Sequence, residues 1–113
     1  MVNIFDDLAG VGFPVYQQGT APEHLPDSFL TVWEDYSSDL SHGDNKPQQL
    51  EQGWTLIFYT KDKNEIYNGL NAAIKHLKTK GYKINGRGSD YSGTWEGYEA
   101  RVVDVVKITD LEV

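Results

Sequence analysis

Residues 50–80 read LEQGWTLIFYTKDKNEIYNGLNAAIKHLKTK, and they hold the two periodicities that decide the fold. From Leu50 to Thr60, alternate positions place Trp54, Leu56 and Phe58 on one face of a strand and Thr55, Ile57 and Tyr59 on the other. Neither set is clearly polar, which is the pattern of a strand covered on both sides. From about Lys63 to Lys80 the helical period takes over, and Ile66, Leu70, Ala73, Ile74 and Leu77 form one apolar stripe. Asp62 followed by Glu65 has capping-box spacing, with Asp in place of the usual Ser or Thr, and Asp62→Ala should cost about 1 kcal/mol. Lys75, Lys78 and Lys80 suit the negative end of the helix dipole, and Gly81 suits a left-handed cap. Gly69 weakens the helix centre by about 1 kcal/mol, which points to another backbone approaching closely there.

Working outward, Phe29 to Tyr36 is rich in β-branched and aromatic residues and reads as a strand, followed by a long polar loop from Ser37 to Gln48. In Phe13-Pro14-Val15-Tyr16 the proline cannot donate a ladder hydrogen bond, so a strand here lies at an edge or begins after it. Gln17 to Ser28, with Gly19, Pro22 and Pro26, reads as a loop. Val2 to Ala9 places Ile4, Phe5 and Leu8 at helical spacing, with Asn3 as cap and Gly10 and Gly12 as stop. After the main helix, Tyr82-Lys83-Ile84 begins a third strand. It leads into the glycine-rich stretch from Gly86 to Gly97, which fits a β-hairpin with a broad tip. Tyr98 to Ile108 is the last strand: Ala100, Val102, Val106 and Ile108 share a face with Asp104, while Val103 and Val105 lie among Glu99, Arg101 and Lys107. The expected fold is α+β, a mainly antiparallel sheet of about four strands flanked by two helices, in one domain spanning residues 1–113.

A chain of 113 residues sits near the commonest single-domain size, and 39% apolar content with fourteen aromatic residues supplies a core that disordered chains lack. Roughly 65% of the unfolded surface is buried at this length, so neither metal nor disulfide is needed for folding. The absence of cysteine excludes thiolate nucleophiles, disulfides and the usual structural zinc sites. Met1 to Asp7 lacks both the basic start and the apolar run of a signal peptide, so the expected setting is a cytoplasm. A net charge of -7 opposes attraction to phosphate backbones and argues against specific nucleic-acid binding.

Catalytic constellations are equally thin. His24, His42 and His76 lie in different contexts; His76 falls off the helix stripe and reads as a solvated residue or helix-end cation. His42 with Asp39 and Asp44 has metal-ligand chemistry, but a hydrophilic turn is the better reading of that segment. Gly86-Arg87-Gly88 lacks the order of strand, glycine loop, Lys and helix that makes a phosphate loop. No Gly-x-Ser-x-Gly elbow occurs, and the pairs Asp6-Asp7 and Glu34-Asp35 are adjacent rather than facing. The expectation is a protein that is not an enzyme, with no cofactor and no metal.

What remains is a set of strands apolar on both faces in a chain with two helices. One face is left for another subunit, for loops folding back, or for an edge-to-edge continuation of the sheet. The expected subunit interface centres on Trp33, Ile57, Val103 and Val105, and the expected partner-contact loop contains His42, Asp44, Asn45 and Lys46.

The order of Phe13-Pro14-Val15-Tyr16, Leu25-Pro26-Asp27-Ser28-Phe29, a polar loop with Asp44-Asn45-Lys46, an aromatic strand ending Tyr59-Thr60-Lys61-Asp62, and a helix resembles the tail-completion, or tail-terminator, family. These are head-tail joining proteins of long-tailed phages and prophages of Gram-positive bacteria. The resemblance runs from about Ile4 to Ile108; the Gly86 to Gly97 segment departs from it. It implies a sheet flanked by helices in a non-enzymatic subunit. That subunit would form a ring, usually hexameric, capping the tail tube and joining it to the head connector. Its partners would be further copies of itself, the tail-tube protein and the connector protein, with no membrane involved. It would be assembled in the host cytoplasm and carried in the virion neck. The alternatives are a head-closure or minor capsid protein, a stand-alone ligand-binding domain or small enzyme, and an adaptor for one host protein.

Overall fold

The computed structural model describes residues 3–20, 22–41, 47–86, 88–91 and 95–110. The expected central strand is β3, Pro47–Thr60, and the strand before it, β2, Ser28–Ser41, runs antiparallel beside it in register Thr31↔Ile57 and Trp33↔Thr55. β1, Val15–Gln17, begins directly after Pro14 and pairs parallel with β2 at the sheet edge. The last long strand, β6, Glu99–Asp110, lies antiparallel on the other side of β3 in register Leu56↔Val103 and Ile57↔Val102. Two short strands, β4 (Lys83–Ile84) and β5 (Ser89–Tyr91), both pair antiparallel with β6. Among the described residues the fold is therefore α+β with a mostly antiparallel sheet of six strands and two helices, where about four strands were expected. The strand expected at Tyr82-Lys83-Ile84 is β4; the difference is made by β1, expected only as a possible edge strand after Pro14, and by β5, both three residues long and too short to register as periodic patterns.

Helix α1, Ile4–Leu8, buries Ile4 and Leu8, and the Asn3 side chain accepts a hydrogen bond from the Phe5 N–H at 3.0 Å, as its position predicts. Phe5 itself is exposed rather than part of the stripe. Helix α2, Ile66–Thr79, starts one turn later than expected. Asp62 accepts from the Asn64 N–H at 2.9 Å in the turn ahead of it, and the helix proper opens at Glu65 without a side-chain cap. Its far end follows the sequence reading closely. The Tyr82 N–H bonds the Leu77 carbonyl and the Gly81 N–H the Lys78 carbonyl, with Gly81 at φ +92°, a Schellman cap.

Both helices cover one face of the sheet. Leu30, Val32, Trp54, Leu56, Phe58, Val103 and Val105 meet Leu70, Ala73, Ile74 and Leu77 of α2 and Ile4 and Leu8 of α1. Gly69 is flat against the Phe58 ring, so the close approach read from the sequence is made by a side chain and not by a backbone. At the margin of this core Tyr82 donates to Asp7 Oδ2 at 2.7 Å, and the Lys107 ammonium lies 5.0 Å from the Tyr82 ring centre and donates to the Lys80 carbonyl at 2.8 Å. This knot ties α1, the end of α2 and β6 together.

Burial, then the hydrogen bond to Asp7 and the charge of that carboxylate, hold the Tyr82 phenol well above the usual tyrosine range. A phenol whose pKa rises on folding adds stability that is complete below the unfolded value of about 10 and is lost as pH climbs beyond it. Tyr82→Phe is expected to cost about 1–2 kcal/mol at neutral pH and to flatten the fall of melting temperature above pH ~10. An unchanged alkaline fall in the variant would contradict this role.

Candidate assembly surface

The sheet face away from the helices divides into two halves. Over the first, loops fold back: Leu25, Trp95 and Tyr98 pack with Tyr16 onto Phe29, Ile57, Tyr59 and Ala100. Phe29 and Tyr59 stack at 5.0 Å, Trp95 stands edge-on to Tyr59 at 4.9 Å, and the Tyr98 hydroxyl fastens the loop by donating to the Pro26 carbonyl at 2.7 Å. Aromatic loop residues thus do here what a second layer of helices does in other folds.

The second half has no such cover among the described residues, and it extends into an arm. β2, β3 and β6 continue past the helices, giving the molecule extents of 53 × 26 × 25 Å. Ser37 to Ser41, expected as loop, is strand because pairing to β3 overrides the low strand preference of Ser and Asp. A register shift between Glu34 and Tyr36 marks a bulge, which brings both Asp35 and Tyr36 to the bare face. The Tyr36 ring lies across Gly53, where an added Cβ would come 2.8 Å from Cζ, and its hydroxyl donates to Glu51 at 3.3 Å. Nearby, the Thr55 hydroxyl lies 2.6 Å from Asp35 Oδ2 and 3.1 Å from Asp104 Oδ1. It has one hydrogen for two carboxylates. Strand alternation adds Val106 and Ile108 to this face, so it is an apolar strip ringed by Asp35, Glu51 and Asp104, with Lys83 of β4, opposite Val106, at its far margin.

The outer edge of β2 opens at the same place. β1 pairs only with Leu30, Thr31 and Val32, and the Gln18 N–H makes the last bond to that edge at the Val32 carbonyl. From Trp33 to Ser41 no strand lies beside it among the described residues. An open cleft of about 440 Å³ sits where β1 ends, walled by Ile4, Phe5, Val32, Trp33 and Trp54 with Glu34 at its rim.

Only part of the expected interface survives these positions. Trp33 is half-buried at the boundary between the covered and bare halves. Ile57 has no exposed surface, because the loop aromatics already cover its half of the sheet. Val103 and Val105 face the helices and not the far side, since the register sets them opposite Leu56 and Trp54. His42, Asp44, Asn45 and Lys46 lie outside the described residues. His76 is half-buried with Nε2 enclosed and no hydrogen-bond partner among the described residues, which corrects its reading as a solvated side chain. No group of three or more His, Asp or Glu able to hold a metal occurs among the described residues, nor a helix long and apolar enough to cross a membrane.

A signal present in the sequence but easily passed over is the charge distribution. Residues 66–89 carry five basic side chains and no acidic one, leaving five basic against seventeen acidic in the rest of the chain. In the fold this gathers Lys75, Lys78, Lys80 and Lys83, all exposed, where α2 runs into β4, at the sheet edge opposite β2. No family model and no curated protein matches the chain.

Proposed function

We propose that this protein is a structural, non-catalytic subunit that caps the tail tube of a long-tailed phage or prophage and joins it to the head connector, as a homo-oligomeric ring. The observation that carries the reading is the edge of β2, open among the described residues from Trp33 to Ser41, beside the partly exposed strip of Tyr36, Val106 and Ile108 that Trp33 bounds. A long unpaired edge next to apolar surface is what a subunit built to join its neighbours presents, and a monomer normally blunts it. The order of elements that resembles the tail-terminator family supplies the place of assembly. The connection between β2 and β3, with His42, Asp44, Asn45 and Lys46, would then contact the tube or the connector. The acidic surplus would let exiting DNA pass without adhesion.

The test is the mass of the purified protein by sedimentation across concentration, with and without the tail-tube protein. A discrete oligomer, six subunits being the expected size, supports the reading; a monomer under both conditions removes it. The cleft at Trp33 favours one second reading, a site for a small apolar ligand, which saturable binding by the monomer would reveal.

A further inference from the structure

We infer that copies of this chain associate head to tail, the acidic β2 edge of one copy seated against the lysine-bearing edge of the next. The inference rests on the self-assembly reading above and names the two surfaces that would meet. The sheet order runs β1-β2-β3-β6-β4, so the open edge of β2 and the junction of α2 with β4 lie on opposite sides of the subunit. The β2 side is acidic, and the β4 side carries the lysine cluster together with Asp104 and with Asp90, which is paired to Arg101. Glu34, Asp35 and Asp39 along β2 and Glu51 beside them are accompanied by no basic residue in the described parts of the arm's first two strands. Lys75, Lys78, Lys80 and Lys83 stand exposed with no acidic residue in their segment, and none of the four makes an ion pair among the described residues.

A two-fold contact would set each surface against its own kind, acid on acid or lysine on lysine, and would be repelled. A head-to-tail contact pairs acid with lysine at every junction and uses one interface repeatedly, which is the symmetry of a ring. Charge complementarity of this kind also selects the partner. It steers the arm to the lysine edge and leaves the lysines neutralised, consistent with a surface that does not hold nucleic acid.

The experiment is a charge exchange. Lys78→Glu/Lys83→Glu reverses one edge and Glu34→Lys/Asp39→Lys the other, all at exposed positions, with circular dichroism to verify folding. Each variant alone should lose association, its apparent dissociation constant rising about tenfold or more, and an equimolar mixture should regain the wild-type mass as alternating subunits. Association of the wild type should also weaken between about 50 and 500 mM salt. A wild-type oligomer whose mass is unaffected by either reversal, or a mixture that fails to recover, overturns this inference and leaves the ring reading standing. A wild type that stays monomeric throughout removes both. Retention of duplex DNA by the wild type, lost in the lysine variant with no change in mass, would assign the lysine edge to a polyanion and overturn the inference as well.

Discussion

Ile57→Asp is expected to leave no stably folded subunit at 25 °C. Ile57 is fully enclosed among Phe29, Tyr59 and Ala100, with Trp33 and Val102 closing its flanks. Its opposite number on β2 is Thr31, whose own hydroxyl is buried without a hydrogen-bond partner among the described residues, and on β6 it is Val102. The loss of the isoleucine contacts costs about 2–4 kcal/mol by analogy with large-to-small core changes. An unpaired carboxylate forced into that space adds several more. The total, on the order of 5 kcal/mol or above, is comparable with the whole stability of a domain this size. Circular dichroism and thermal melting decide the matter: a folded variant that merely changes oligomer mass would mean that the covering loops open in solution. Trp33→Asp is the informative contrast. Half-buried at the boundary of the bare strip, it should keep the subunit folded while lowering the mass of the assembly.

The second large effect concerns Gly69, where propensity and packing oppose each other. In a helix interior, replacing Gly by Ala ordinarily stabilises by about 1 kcal/mol. Here the new methyl would meet three atoms of the Phe58 ring, with Cε1 at 2.7 Å. The ring cannot retreat freely, because Phe13 stands edge-on to it with centroids 5.0 Å apart and it belongs to the buried core under α2. Overpacking of this kind costs about 1–3 kcal/mol, so Gly69→Ala should be net destabilising and Gly69→Leu severely so. Urea denaturation of Gly69→Ala, Phe58→Leu and the double variant closes the cycle. The double variant should be more stable than the two single losses added together predict, by about 1 kcal/mol. A Gly69→Ala protein more stable than the parent would show that the ring has room to move.

These two residues also show how far the sequence could be read. The apolar alternation of β3, the stripe of α2 and the caps at Asn3 and Gly81 are local, so spacing alone exposes them. That something approaches Gly69 closely was legible too, but not that it is the Phe58 ring, since which strand residues face the helix depends on tertiary packing. Register was the larger loss. Val103 and Val105 alternate correctly along β6, yet only the pairing Leu56↔Val103 says that they turn toward the helices and that Val102 turns with Ile57. The apolar far face was visible in the sequence and loops were one of its possible covers, but the covering residues were not legible, because Leu25 and Trp95 belong to segments with loop composition and no periodicity and Tyr98 reads as the start of the last strand. The candidate assembly surface was likewise half legible: Trp33 came from its strand, whereas the open edge beside it follows from how short β1 is.

The sheet order carries a consequence for how the chain reaches this state. β2 and β3 pair across a short connection, but β3 meets β6 in the register Thr60↔Glu99 to Gln49↔Asp110, joining residues about forty to sixty positions apart. Loop closure of that span is slow relative to hairpin formation, so β6 is the late-arriving strand. Until it docks, β3 has one edge unpaired and apolar side chains on both faces. The most buried strand of the finished subunit is thus the most adhesive element of the nascent one. Synthesis from the amino terminus prolongs that interval, because β6 leaves the ribosome after the other five strands.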